Sequence, residues 1–210
     1  MEIAEYLGWA TASIVILIEL ILIFKLITNK HSKLQYLIKD MSDQEGVSLT
    51  PYSYSRSQLI WWTVIVITCF SIQFAVTGEI AGVMNKTALI LIGISAGTTL
   101  AGRVIDNSHQ TNPTITSVHQ DEPSEGFWMD ILSDQNGVSI HRFQAVIFNI
   151  VFGFAFVVQF IDSLTGAKMG TAIQLPIFGE TALGLIGISS GTYTALKFNE
   201  NLSKSTPPTK

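Results

Sequence analysis

Residues 87–98 read Thr-Ala-Leu-Ile-Leu-Ile-Gly-Ile-Ser-Ala-Gly-Thr, and residues 181–192 read Thr-Ala-Leu-Gly-Leu-Ile-Gly-Ile-Ser-Ser-Gly-Thr. Two such similar blocks in one chain are an internal repeat, and a repeat sets the architecture before any single residue does. Other matches accompany them. Ser42-Asp-Gln-Glu-Gly-Val-Ser48 recurs as Ser133-Asp-Gln-Asn-Gly-Val-Ser139. Between these blocks Arg56 and Gln58 match Arg142 and Gln144, and Gln73-Phe74 matches Gln159-Phe160. The matches keep the same order in both halves.

Each half carries two long apolar stretches, and one more precedes them. A run of about 20 mainly apolar residues crosses a bilayer core. Five stretches qualify: 7–27, 59–77, 87–105, 143–161 and 177–196. Charged residues make up only 13% of the chain, about half the roughly 25% usual in soluble domains. The first stretch reads as a retained anchor and not a cleaved signal peptide. Glu2 and Glu5 precede it instead of basic residues, its apolar run is too long, and no small-residue cleavage site follows. The expected fold is therefore an all-α membrane protein with five transmembrane helices, one N-terminal span plus two parallel two-span repeats. Its segments are an N-terminal span (1–30), repeat 1 (31–105), a flexible cytoplasmic linker (106–125), repeat 2 (126–200) and a disordered tail (201–210). Parallel repeats of this kind are related by a pseudo-two-fold axis along the membrane normal.

The basic residues choose the orientation. With the N-terminus outside, ten of the 12 Lys and Arg fall on the inner side, and only Lys86 and Lys168 fall outside. Positive charge accumulates on the cytoplasmic side of membrane proteins, so the N-terminus is expected outside and the C-terminus in the cytoplasm. Trp9 suits the outer interfacial belt, and Trp61 with Trp62 the inner one. Each repeat opens on a short amphipathic stretch: Leu34, Leu37, Ile38 and Met41 in the first, Phe127, Trp128, Ile131 and Leu132 in the second. Such segments lie along the cytoplasmic interface. The Asp-Gln-x-Gly step that follows is good turn chemistry, and Ser139, or Ser48 and Thr50-Pro51, suit the start of the next helix.

Few residue patterns point to chemistry. The net charge of −4 forms no basic stripe, so no nucleic-acid partner is expected. A single cysteine, Cys69, excludes an internal disulfide, and no Cys/His spacing suggests a metal. No cofactor is expected. Gly93-Ile-Ser95-Ala-Gly97 and Gly187-Ile-Ser189-Ser-Gly191 both fit the G-x-S-x-G nucleophile elbow. That elbow needs a strand before it and a histidine within reach, whereas both copies sit inside apolar helices and the four histidines lie between spans. The chain is read as non-enzymatic.

Packing accounts for the blocks better. Gly93, Ala96 and Gly97, and likewise Gly187, Ser190 and Gly191, place small residues on one helical face, where membrane helices approach closely. The opposite faces carry Ser95 and Thr98, and Ser189 and Thr192, whose hydroxyls either bond back to carbonyls one turn earlier or line a narrow polar path. Glu19, in the middle of the first span with no basic residue nearby in its helix, costs about 3 kcal/mol or more if unpaired. It serves as an ion- or proton-sensitive site or as a polar clamp, with Gln73, Asn149 and Gln159 as hydrogen-bonding neighbours.

The duplicated Ser-Asp-x-x-Gly-Val-Ser and Leu-Ile-Gly-Ile-Ser-x-Gly-Thr motifs, with Arg-x-Gln between them, resemble an uncharacterised group of multi-spanning bacterial membrane proteins. The resemblance covers the two repeats, omits the first span, and implies a bacterial plasma membrane but no activity. The expected function is a membrane-embedded scaffold or effector subunit that forms a homo-oligomer, or binds a membrane or cytoplasmic protein, through its small-residue faces. The alternative is an ion or small-solute channel at the repeat interface of an oligomer.

Overall fold

The computed structural model describes residues 2–28, 37–40, 50–77, 84–113, 115, 123–166 and 173–200, and they are mostly helical. In chain order the elements are α1 (Glu2–Thr28), α2 (Tyr54–Thr77), α3 (Lys86–Gln110), α4 (Phe127–Leu132), β1 (Ser133–Asp134), β2 (Gly137–Val138), α5 (Ile140–Gly166) and α6 (Glu180–Asn199). Among the described residues, Tyr54–Thr77, Lys86–Gln110 and Ile140–Thr165 are long and apolar enough to cross a membrane. Their outer surfaces fit that role. Leu89, Leu100, Val104, Val151, Phe154 and Val158 each expose more than half of their area, a belt that a protein dissolved in water would bury.

Four helices form the bundle. α2 packs on α3 and α5, and α6 packs on the same two, so each sequence half supplies one adjacent pair; α1 lies along α2. The core between them holds Trp62, Val66, Leu91, Phe156 and Ile186, all essentially inaccessible. Buried residues on α3 (Ala88, Leu91, Ser95, Thr98, Gly102, Ile105) recur every three or four positions, the stripe expected of a helix with one packed face.

Trp62 is drawn into the core instead of standing in an interfacial belt, whereas Trp61 is half-buried. Trp62 is fully buried and donates to Asn149 Oδ1 at 2.7 Å, while Trp61 donates to the Asn149 carbonyl at 3.0 Å and lies against Gly153. A buried indole N–H needs an acceptor. Asn149 supplies two, and its own amide nitrogen donates to the Tyr54 hydroxyl and the Ala145 carbonyl, both at 2.8 Å.

Helix boundaries also shift from the sequence reading. α3 continues past Ile105 to Gln110, so residues 106–110 are helix and not linker. It starts at an N-cap, with Asn85 Oδ1 accepting from Ala88 N at 2.9 Å. α6 begins at Glu180, after an extended stretch at 173–179 that contains Pro176 and Gly179. This stretch closes one end of the bundle through amide side chains. Gln73 Nε2 donates to the Ile173 carbonyl at 2.5 Å, and Asn85 Nδ2 donates to the Leu175 and Pro176 carbonyls at 2.7 and 2.9 Å.

At the other end, β1 and β2 form a hairpin with Ser133 opposite Val138 and Asp134 opposite Gly137. Its turn uses Asp134 Oδ1, which accepts from Asn136 N at 2.8 Å, and Gly137 at φ +99°, a conformation that favours glycine. In the first half, Lys39 and Tyr52 form an antiparallel bridge. The 42–48 turn, Leu34, Met41, Ser48, Lys168, the side chain of Trp9 and the 201–210 tail lie outside the described residues.

Candidate functional site

The most chemically dense region is a buried charge cluster at the hairpin end of the bundle. The last turns of α6 place Tyr193, Lys197 and Glu200 at i, i+4 and i+7, on one helix face. The first turn of α5 adds Arg142, α3 adds Asp106, and the segment before α2 adds Asp40. Arg142 Nη2 meets Glu200 Oε1 at 2.8 Å. Lys197 Nζ meets Asp106 Oδ1 at 3.0 Å and lies 4.0 Å from Asp40 Oδ2. Lys197 therefore joins the second half of the sequence to the first. Arg142, Lys197, Asp40 and Glu200 are all buried. Isolated charges cannot be buried at tolerable cost, and pairing is what allows it.

Aromatic rings wall the cluster. The Arg142 guanidinium sits 5.3 Å from the centre of the Tyr193 ring, which contacts Tyr54 at 4.6 Å. Gly102 keeps α3 close. A Cβ there would lie 3.3 Å from Ser55 Oγ and 3.9 Å from Lys197 Cε. Between the helix ends and the hairpin is a cavity of about 240 Å³, bordered by Asp134, His141, Arg142, Tyr193, Lys197 and Glu200. Glu200 Oε2 is buried without a hydrogen-bond partner among the described residues. Beside the cluster, burial pushes the Lys39 amine below the ordinary lysine range, and the Asp130 carboxylate opposes that shift.

Sequence reasoning counted Lys197 as a marker of orientation and Arg142 as that and a repeat match, and passed over Asp40, Asp106, Tyr193 and Glu200. A signal was present. Arg103-x-x-Asp106 follows the first Gly-Ile-Ser block at the same spacing as Lys197-x-x-Glu200 follows the second.

The residues singled out from sequence are dispersed. Gly93, Ala96 and Gly97 are exposed on α3, and among the described residues a Cβ added at Gly93 or Gly97 meets nothing within 4 Å. Gly191 is likewise open. Gly187 faces Ile94 of the first half, with Ile94 Cδ1 at 3.8 Å from its added Cβ, and Ser190 is buried, accepting from Gln58 Nε2 at 3.0 Å. α3 meets α6 through Ile94, Gly102 and Asp106, and Ser95 and Thr98 of α3 are buried. Ser95 donates to the Leu91 carbonyl at 2.9 Å and Thr98 to the Ile94 carbonyl at 2.8 Å. Ser189 is buried and Thr192 half-buried on α6.

The amides do not gather at Glu19. Glu19 accepts instead from the Thr68 hydroxyl of α2, Gln73 and Asn149 are engaged as described above, and Gln159 is exposed on α5. No family model, curated protein or solved structure matches this chain.

Proposed function

We propose that the chain is a non-enzymatic subunit of a membrane-embedded assembly, joining copies of itself through the glycine faces of α3 and α6. The observation that supports this most is the open space at Gly93, Gly97 and Gly191. Small residues at helix-packing spacing with no neighbour among the described residues are suited to one on another subunit. In this reading α1, α2, α3, α5 and α6 are five spans, with the N-terminus outside, the C-terminus cytoplasmic, and the two halves arranged as parallel repeats. The setting is a bacterial plasma membrane, in keeping with the resemblance carried by the duplicated motifs. A protein partner on the same faces is the variant of this reading that a hetero-assembly would require.

The channel reading has less support. The hydroxyls that would line a path bond back to their own helix, and Trp62, Leu91, Phe156 and Ile186 fill the space between the helices. The test is the size of the purified protein in mild detergent. Gly97→Leu and Gly191→Leu are expected to shift it toward the monomer while leaving helix content and membrane insertion intact. Unchanged size for both variants would overturn the assembly reading, and ion flux in liposomes above that of empty vesicles would restore the channel.

A further inference from the structure

α4 buries Ile131 yet leaves three apolar side chains exposed. Its one acid, Asp130, is buried, whereas Phe127, Trp128 and Met129 are exposed, Trp128 by 59%. The arrangement is pinned and not a frayed end. Asp130 Oδ2 accepts from Tyr52 N at 3.0 Å and from Ser124 Oγ at 2.6 Å, and Oδ1 accepts from Glu125 N at 2.8 Å. The Phe127 ring packs edge-on against Tyr52, with centroids 5.4 Å apart. Three hydrogen bonds to a charged acceptor are strong restraints for so short a helix, and their result is an apolar side turned outward.

Along the chain, exposed apolar residues follow in the hairpin and in the long helix after it. Val138 and Ile140 expose 61% and 69% of their surfaces. From there the exposed apolar positions of α5 run Phe143, Ile147, Val151, Phe154 and Val158, a spacing of three or four that keeps them on one helix face. This is the face that a membrane-crossing α5 turns to lipid. We propose that α4 and the hairpin residue Val138, opposite Ser133, form an interfacial foot, seated in the headgroup–acyl boundary of the bilayer and continuous with the lipid face of α5. An aromatic-rich apolar side and the absence of basic residues on α4 fit insertion at the boundary more than electrostatic adhesion. The inference rests on the reading that α5 crosses the membrane.

Nitroxide labels placed on the full chain in phosphatidylcholine–phosphatidylglycerol vesicles test it, using Trp128→Cys and Val138→Cys with the buried Cys69 retained or replaced in Cys69→Ala. Val151→Cys reports the middle of α5, and Asn136→Cys the exposed polar turn. Collision with oxygen relative to a water-soluble nickel chelate is expected to be several-fold higher at 128 and 138 than at 136, and highest at 151. Nickel access at 128 and 138 equal to that at 136, with 151 still in lipid, overturns the foot alone. Shielding of 128 from both probes means that a protein segment covers it, and also overturns the proposal. Nickel access at 151 overturns the membrane-crossing reading of α5 and the foot with it.

Discussion

The Trp61 indole occupies the space that a side chain at Gly153 would need. A Cβ at 153 would fall 2.5 Å from Nε1 and 2.6 Å from Cζ2 of the ring. Glycine here lets α2 and α5 close on one another, and the indole N–H then reaches the Asn149 carbonyl one turn earlier in α5. The contact is a packing requirement, unlike the open glycines on α3.

Gly153→Ala is therefore expected to overpack this crossing and to destabilise the fold by about 1–3 kcal/mol. Gly97→Ala, where the space is open, is expected to keep the isolated subunit's stability or raise it by up to about 1 kcal/mol, since alanine favours the helix. Thermal unfolding of the monomeric protein in detergent separates them; equal midpoints for the two variants would contradict the close approach.

Lys197→Met removes the cation that faces Asp106 and Asp40. Breaking a buried ion pair from one side costs about 3–5 kcal/mol because the other charge stays behind. Lys197→Met combined with Asp106→Leu should recover part of that loss. Unfolding midpoints for the single and double variants are the measurement, and a double variant weaker than the single one by a further full increment would show that the two groups act independently.

Asn149→Leu strips acceptors and donors from Trp62 and Tyr54 at once. Each buried group left unsatisfied costs about 1–3 kcal/mol. Adding Trp62→Phe to Asn149→Leu should cost less than the sum of the two singles, since they share one hydrogen bond. Strict additivity in the double-mutant cycle would rule out that bond as the coupling.

At the α1–α2 contact, Glu19→Gln keeps an acceptor for the Thr68 hydroxyl, whereas Thr68→Val leaves the Glu19 oxygen without a donor. The first variant is expected to melt close to the wild type and the second lower. Identical melting of both variants would mean that this bond contributes nothing to holding α1.

The long helices were legible because apolar runs are local and additive: residues 54–77 and 140–165 declare themselves by composition. What each helix buries was less legible. The hydroxyl side of α3 turned inward because Ser95 and Thr98 satisfy themselves on carbonyls of their own helix, which removes the cost of burial. Trp62 looked interfacial because its usual preference is amphipathic, but an acceptor that lies 87 positions away in the chain, on Asn149, drew it inside. The charge cluster was hidden for the same reason. Lys197 reads as a cytoplasmic marker until the fold brings Asp106 and Asp40 to it, and no local pattern states which distant carboxylate will arrive.

The extended stretch at 173–179 has a consequence for how the bundle responds to its surroundings. Its ties to α2 and α3 use the amides of Gln73 and Asn85 and backbone carbonyls, groups that neither titrate nor exchange counterions in the physiological range. The ties at the opposite end pair Lys197 with Asp106 and Arg142 with Glu200, full charges whose attraction depends on the medium around them. The four helices are thus held like a fan, riveted at one end and latched by charge at the other. Loss of one charge from the latch would loosen the helices at that end of the bundle while the rivet held.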